Sequence, residues 1–196
     1  MLTIPNAISV VRILCAPVFL WLLFDAEERT WAFVLLAVLG ATDWVDGWIA
    51  RRFDQASVLG KVLDPIADRI LLLTAAVALT VDGVVPTWVG VVVLAREAVV
   101  SAGTLALAAA GARRIDVQWT GKAGTFGLMI ALPGFLLVDV LGPGAGRDIV
   151  EVLTWVATAG GLLLGYLAAA RYVPIAFDAL RAGRRGRATS TTGVVA

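Results

Sequence analysis

The amino-acid sequence predicts an all-α integral membrane protein of six transmembrane helices, with its active site at the cytoplasmic face. Three observations carry this expectation. The 196-residue chain is 60% hydrophobic with a mean hydropathy of +0.89, far above a soluble globular domain. Its apolar residues fall in segments of about 20, the length needed to cross a bilayer. Its charges, only 16% of residues, are clustered.

The first span runs from about Ala7 to Phe24, after a lead-in whose Pro5 and Asn6 suit a helix start. Arg12 lies near its beginning, where its long stem can snorkel to the interface. Asp25, Glu27, Glu28 and Arg29 form a short polar loop. The second span covers about Trp31 to Arg52, and a linker over Phe53 to Ser57 leads to the third, about Val58 to Val81. Pro65 has two readings. With Asp64 as N-cap it takes the favoured first helical position; with an earlier helix start it lies inside and kinks the helix beside the acids. Asp82 and Gly83 turn the chain into the fourth span, about Pro86 to Ala110, which carries Arg96 and Glu97 well inside it. Those two neighbours are costly in hydrocarbon without partners, and both a structural pairing and an acceptor role fit them. A polar connection from Gly111 to Lys122 precedes the fifth span, about Ala123 to Leu141. A glycine-rich loop then leads to the sixth, about Ile149 to Val173.

Residues 1–175 are read as one transmembrane domain and residues 176–196 as a basic, disordered tail. Anionic lipid headgroups are a second reading of that tail. Six spans put both termini on one side. Arg51, Arg52, Lys61, Arg113, Arg114, Lys122, Arg171 and the tail arginines share that side, against Arg29 and Arg147 on the other. The positive-inside rule makes the basic side cytoplasmic, in the cell membrane. Gly121, Gly124 and Gly127 on the fifth span, and Gly161 and Gly165 on the sixth, allow close helix approach, either within the subunit or between two copies.

Several chemistries are excluded. Histidine is absent, which removes a Ser-His-Asp triad, a His-ligated zinc site and a His proton relay. The lone Cys15 cannot form an internal disulfide or a CxxC pair and reads as a small apolar residue. The N-terminus lacks a basic region ahead of its apolar run, so a cleaved signal peptide is not expected.

The stretch from Asp43 to Asp68, DWVDGWIARRFDQASVLGKVLDPIAD, holds two acid pairs at the junction of the second and third spans. Asp43 and Asp46, and likewise Asp64 and Asp68, have spacings that put both members of a pair on one helix face. Paired acids beside hydrocarbon need a cation, a proton or a buried partner. Carboxylates without thiolate or imidazole suit a hard cation, magnesium or manganese, and four of them can hold one or two ions. Gly47 and Gly60 remove side chains beside the pairs, for a ligand's approach or for helix packing. Arg51 has a planar fork suited to phosphate oxygens.

Asp43-x2-Asp46-Gly47-x2-Ala50-Arg51-x8-Gly60-x3-Asp64-x3-Asp68 matches every fixed position of the CDP-alcohol phosphotransferase signature, which the chain therefore resembles. The resemblance implies that Asp43, Asp46 and Asp64 bind divalent metal. It implies that Asp68 shares in metal binding and is the general base that activates the acceptor hydroxyl. Asp43, Asp46, Gly47, Ala50, Arg51 and Gly60 would surround the CDP group. The family reaction moves a phosphatidyl or similar unit from its CDP carrier to an alcohol and releases CMP. Its members are typically homodimers.

Three further segments resemble the branch that uses glycerol-type acceptors: IPNAISVVRILCAPVFL, LGKVLDPIADRILL, and Arg96-Glu97 with the later WTGKAGTFG. The favoured acceptor is glycerol 3-phosphate, giving phosphatidylglycerol phosphate. The alternative is phosphatidylglycerol, giving cardiolipin. Enzymes of the first kind often have a Lys-x-Lys-Thr pattern, where this chain has Lys122, Ala123, Gly124 and Thr125; the single-lysine form resembles the CDP-alcohol type of cardiolipin synthase. Lys122, Arg113, Arg114 and Arg171 are the candidate acceptor-phosphate ligands, set against the plain reading that basic residues gather on the cytoplasmic side. The expected partners are CDP-diacylglycerol, one of these acceptors, membrane lipids and a second copy of the chain, with no nucleic acid.

Two other classes compete. An ion-coupled transporter would place its acids near the bilayer midplane between repeats, and no repeat is seen here. A membrane prenyltransferase also uses acids and magnesium, but its two acidic motifs lie far apart in the chain.

Overall fold

A computed structural model describes the backbone of residues 4–52, 60–109 and 119–191, and the side chains of residues 7–42, 66–103 and 119–170. These residues form six α-helices: α1 (Ile4–Phe24), α2 (Arg29–Arg52), α3 (Gly60–Val81), α4 (Thr87–Ala109), α5 (Trp119–Val140) and α6 (Ala145–Thr191). The expectation of an all-helical chain holds. Tight turns need a left-handed residue at two places, Glu27 (φ 53°) between α1 and α2 and Gly83 (φ 84°) between α3 and α4.

The helices form one bundle. α1 packs on α2 and α3; α3 also meets α4 and α5; α6 lies along α5 and touches α4. The centre is small and apolar, built from residues such as Phe19, Leu36, Leu72, Ala76, Val93 and Leu136. Buried polar groups are also inside: Ser9, Arg12, Arg96, Glu97, Thr154 and Thr158. The outside carries large apolar residues, among them Leu14, Val38, Val91, Ile130, Val152 and Leu163. Water would penalise such a surface, whereas hydrocarbon would not. Trp21, Trp31 and Trp88 are exposed at the end of the bundle that holds the short loops, the position of an interfacial aromatic belt. Trp88 also stacks on Trp155 of α6, with ring centroids 5.8 Å apart.

Among the described residues, three helices are long and apolar enough to cross a membrane by length and composition: Ala7–Phe24, Trp119–Val140 and Ala145–Ala170. α2 and α3 hold the aspartates, and α4 holds Arg96 and Glu97.

Several boundaries differ from expectation. α3 begins at Gly60, so Asp64 is not its N-cap and Pro65 lies within its first turns. α5 begins at Trp119 and so takes in Gly121 and Lys122. α6 continues to Thr191, through the segment expected to be a disordered tail. Ala, Leu and Arg, all strong helix formers, recur there and propagate a helix already nucleated in α6.

The glycine stripes meet within the subunit. A Cβ at Gly124 would lie 2.7 Å from the Gly165 nitrogen and 2.9 Å from the Gly161 oxygen, and one at Gly127 would lie 2.9 Å from the Gly161 Cα. Of the two readings of these glycines, packing of α5 on α6 is the one the fold uses.

Candidate active site

Asp43, Asp46, Gly47, Ala50 and Arg51 lie on the last turns of α2, and Gly60, Asp64 and Asp68 on the first turns of α3. Helical backbone at both places keeps each acid pair on one face of its helix. Of these residues, only Asp68 lies within the described side chains. Arg113 and Arg114 lie outside the described residues, and the side chain of Arg171, on α6, lies outside them too. Lys122 is exposed on the first turn of α5.

Asp68 is partly buried, with 23% of its side chain exposed, and accepts a hydrogen bond at Oδ1 from Nη1 of Arg12. The Arg12 side chain is fully buried. It therefore does not snorkel to the interface as expected. It turns inward, because a carboxylate on the neighbouring helix offers a better partner than a distant headgroup layer. At a rise of about 1.5 Å per residue, Asp68 lies roughly 20 Å from the Val81 end of α3, and Arg12 lies at a similar height on α1. That match of register was the signal available in the sequence.

The residue after Asp68 builds a second polar cluster. Arg69 Nε stands 3.5 Å from Oε2 of Glu97 on α4. Glu97 is buried and accepts a hydrogen bond at Oε1 from Nη1 of Arg96. Arg96, also buried, donates from Nη2 to Thr125 Oγ1 at 3.1 Å and to the Gly121 carbonyl at 3.3 Å. Arg96 and Glu97 thus adopt the structural pairing. They join α3, α4 and α5, and they anchor the turn of α5 that carries Lys122. Arg69 and Arg12 are the residues that motif reading overlooks, because neither belongs to the aspartate pattern.

The structure also explains the single lysine. Gly124 stands where the Lys-x-Lys-Thr pattern has its second lysine, and it is buried against the backbone of α6. No side chain fits there without parting the two helices.

At the loop end of the bundle, Arg29 pairs with Asp82 at 2.9 Å and also with Asp139. The Asp139 hydrogen bond, helped by nearby acids, raises the Arg29 guanidinium above its ordinary pKa. This cluster lies at the opposite end from the aspartate pairs and ties the helix ends together.

Residues 2–166 match the family model described as CDP-alcohol phosphatidyltransferase. The chain is 40% identical over 177 residues to a protein named cardiolipin synthase (CMP-forming) from Streptomyces coelicolor, covering 88% of this chain and 81% of that one. It is 32% identical over 173 residues to a protein named probable phosphatidylglycerophosphate synthase from Mycobacterium tuberculosis, covering 86% and 78%. It is 28% identical over 171 residues to a protein named CDP-diacylglycerol–glycerol-3-phosphate 3-phosphatidyltransferase from Bacillus subtilis, covering 80% and 88%. With a family match over most of its length and the full aspartate pattern at the junction of α2 and α3, this chain belongs to the CDP-alcohol phosphatidyltransferase family.

Proposed function

We propose that this membrane enzyme transfers the phosphatidyl group of CDP-diacylglycerol to a hydroxyl of a glycerol-type acceptor and releases CMP. The observation that carries the reading is the complete signature on two consecutive helices, with Asp68 set into the bundle against a buried arginine.

The residues fit a divalent cation by the chemistry of their donor set: four carboxylates as two same-face pairs, with no soft ligand among them. Asp43, Asp46, Asp64 and Asp68 would hold magnesium or manganese, as one or two ions. When bound, the cation supplies positive charge against the donor's pyrophosphate. The other roles belong to the chain's own groups. Gly47, Ala50, Arg51 and Gly60 surround the CDP unit. Asp68 accepts the proton of the acceptor hydroxyl. The acceptor oxygen forms a new bond to the phosphorus that bears the diacylglycerol, and the bond from that phosphorus to the CMP oxygen breaks. The electron pair of that bond leaves with CMP. Lys122, with Arg113, Arg114 and Arg171, receives the acceptor's phosphate.

In this reading all six helices cross the cell membrane as one domain, residues 1–175. Both termini and the aspartates are cytoplasmic, residues 176–196 extend from the last span, and the enzyme is a homodimer. The charge asymmetry of the connections supports the orientation.

The first acceptor is glycerol 3-phosphate. The second is phosphatidylglycerol, favoured by two particulars: Gly124 in place of a second lysine, and 40% identity to a protein named as a cardiolipin synthase. Purified protein in detergent, given CDP-diacylglycerol and magnesium with each acceptor separately, decides between them by CMP release and the mass of the lipid product. CMP release is expected with one of the two. A folded protein that releases none with any acceptor would sink the assignment.

A further inference from the structure

Arg12 lies outside the aspartate signature, on a different helix, yet its Nη1 donates to Oδ1 of Asp68. Its side chain is fully buried, so no substrate reaches it. Through that hydrogen bond it acts on the carboxylate of Asp68. A carboxylate's terminal torsion is broad and roughly two-fold, so each hydrogen bond that holds Asp68 narrows its direction. A guanidinium is a rigid planar fork, and here it is itself held by the packing of α1 on α3.

We propose that Arg12 is a positioning residue for phosphatidyl transfer: by holding Oδ1 of Asp68 from α1, it fixes the direction in which that carboxylate meets the acceptor hydroxyl. The proposal rests on the reading of Asp68 as the proton acceptor. Proton abstraction requires hydrogen-bond reach, and a displacement of about 1 Å costs on the order of 100-fold in rate. A pair of well-packed apolar residues would serve the helix contact equally well.

The test uses the full-length protein in detergent with magnesium, CDP-diacylglycerol and the acceptor that the parent protein uses. R12Q, R12K, D68N and the R12Q/D68N double variant are compared for kcat, for KM of the donor, and for thermal stability. R12Q is expected to lose about 100-fold in kcat, with the donor KM nearly unchanged. R12K keeps the charge but lacks the fork, and an intermediate loss of about tenfold is expected. In the D68N background, R12Q is expected to cost nothing further, because the group it positions has gone. Parental kcat in R12Q overturns the proposal, and so do losses that multiply in the double variant. If R12Q does not fold, R12K decides: a kcat loss at constant KM supports the proposal, and parental kcat overturns it. Failure of both to fold assigns Arg12 to the architecture alone and also overturns it. The parent protein is the separate control, since absence of CMP release there removes the phosphatidyl-transfer reading itself.

Discussion

Gly165 of α6 leaves open the space that the Arg96 guanidinium of α4 fills. A methyl group at position 165 would overlap Nε of Arg96 and stand 3.0 Å from its Cζ. The glycine thus permits a buried arginine to reach across to α5, where it donates to Gly121 and Thr125. G165A should push Arg96 aside and weaken both bonds. Overpacking of this kind costs about 1–3 kcal/mol, and a thermal melt in detergent should register it.

Gly124 is more demanding, because its neighbours are backbone atoms that cannot rotate away. G124K, which would restore the two-lysine pattern, should therefore fail to confer a preference for a phosphomonoester acceptor and should instead unfold the protein. G124A should already lower the melting temperature. Gly160, beside which a Cβ would meet nothing within 4 Å, is the internal comparison. G160A should be neutral or stabilising by up to about 1 kcal/mol, the helix-propensity gain of alanine over glycine.

Asp68→Asn keeps the size of the side chain and an acceptor oxygen for Arg12, but removes the basic site. Turnover should fall by about 10²–10⁴-fold, the range of a general base's contribution. Binding of CDP-diacylglycerol, measured directly, should be largely retained. Substantial turnover in this variant would remove Asp68 from the chemistry.

Lys122 is exposed on the turn of α5 that Arg96 anchors. K122Q should raise the acceptor's KM while leaving that of CDP-diacylglycerol unchanged. A ΔΔG of about 1.4 kcal/mol would appear as a tenfold rise. Equal effects on both substrates would place the lysine elsewhere in the cycle.

Arg29 tests whether the loop-end cluster matters to the reaction at all. It is more than a third exposed, so its pairs with Asp82 and Asp139 should contribute no more than about 1 kcal/mol and should weaken with salt. R29Q should melt slightly earlier and retain full turnover. Asp139 raises the Arg29 pKa, so the arginine's part in stability is present below its unfolded value and is lost only as pH rises through the folded one. Both values lie in strongly alkaline solution, so between pH 6 and pH 9 salt, not pH, should loosen the cluster.

Much of the bundle was legible in the sequence because the polar connections are short and the apolar segments long. The six helices appear where periodicity and charge put them, and the acid pairs fall on adjoining helix ends. The misreadings have physical causes. Arg12 near a helix start looks like a snorkelling residue until the height of Asp68 on the next-but-one helix is compared with it. Arg69 is hidden because it follows a motif residue and points to α4 rather than to the acid pairs. The glycines of α5 and α6 are no misreading: their spacing says that backbones can approach, packing within the subunit was the favoured reading over a contact between subunits, and the fold uses it. α6 outruns its apolar segment because helix propensity continues after hydropathy stops.

The Arg96–Glu97 pair also bears on how the chain is made. In the proposed six-span arrangement α4 would reach the bilayer before α5 and α6 have been synthesised, so Thr125 and the Gly121 carbonyl would not yet exist when Arg96 enters hydrocarbon. A lone arginine or acid at a helix centre costs roughly 2.5–3.5 kcal/mol during insertion. Glu97 is a partner on the same helix, and Arg69 arrives one helix earlier, so the nascent segment carries its own partial neutralisation. In that arrangement, membrane integration of the fourth segment would be coupled to the third before it and completed by the fifth and sixth after it, as a hairpin awaiting its closing pair.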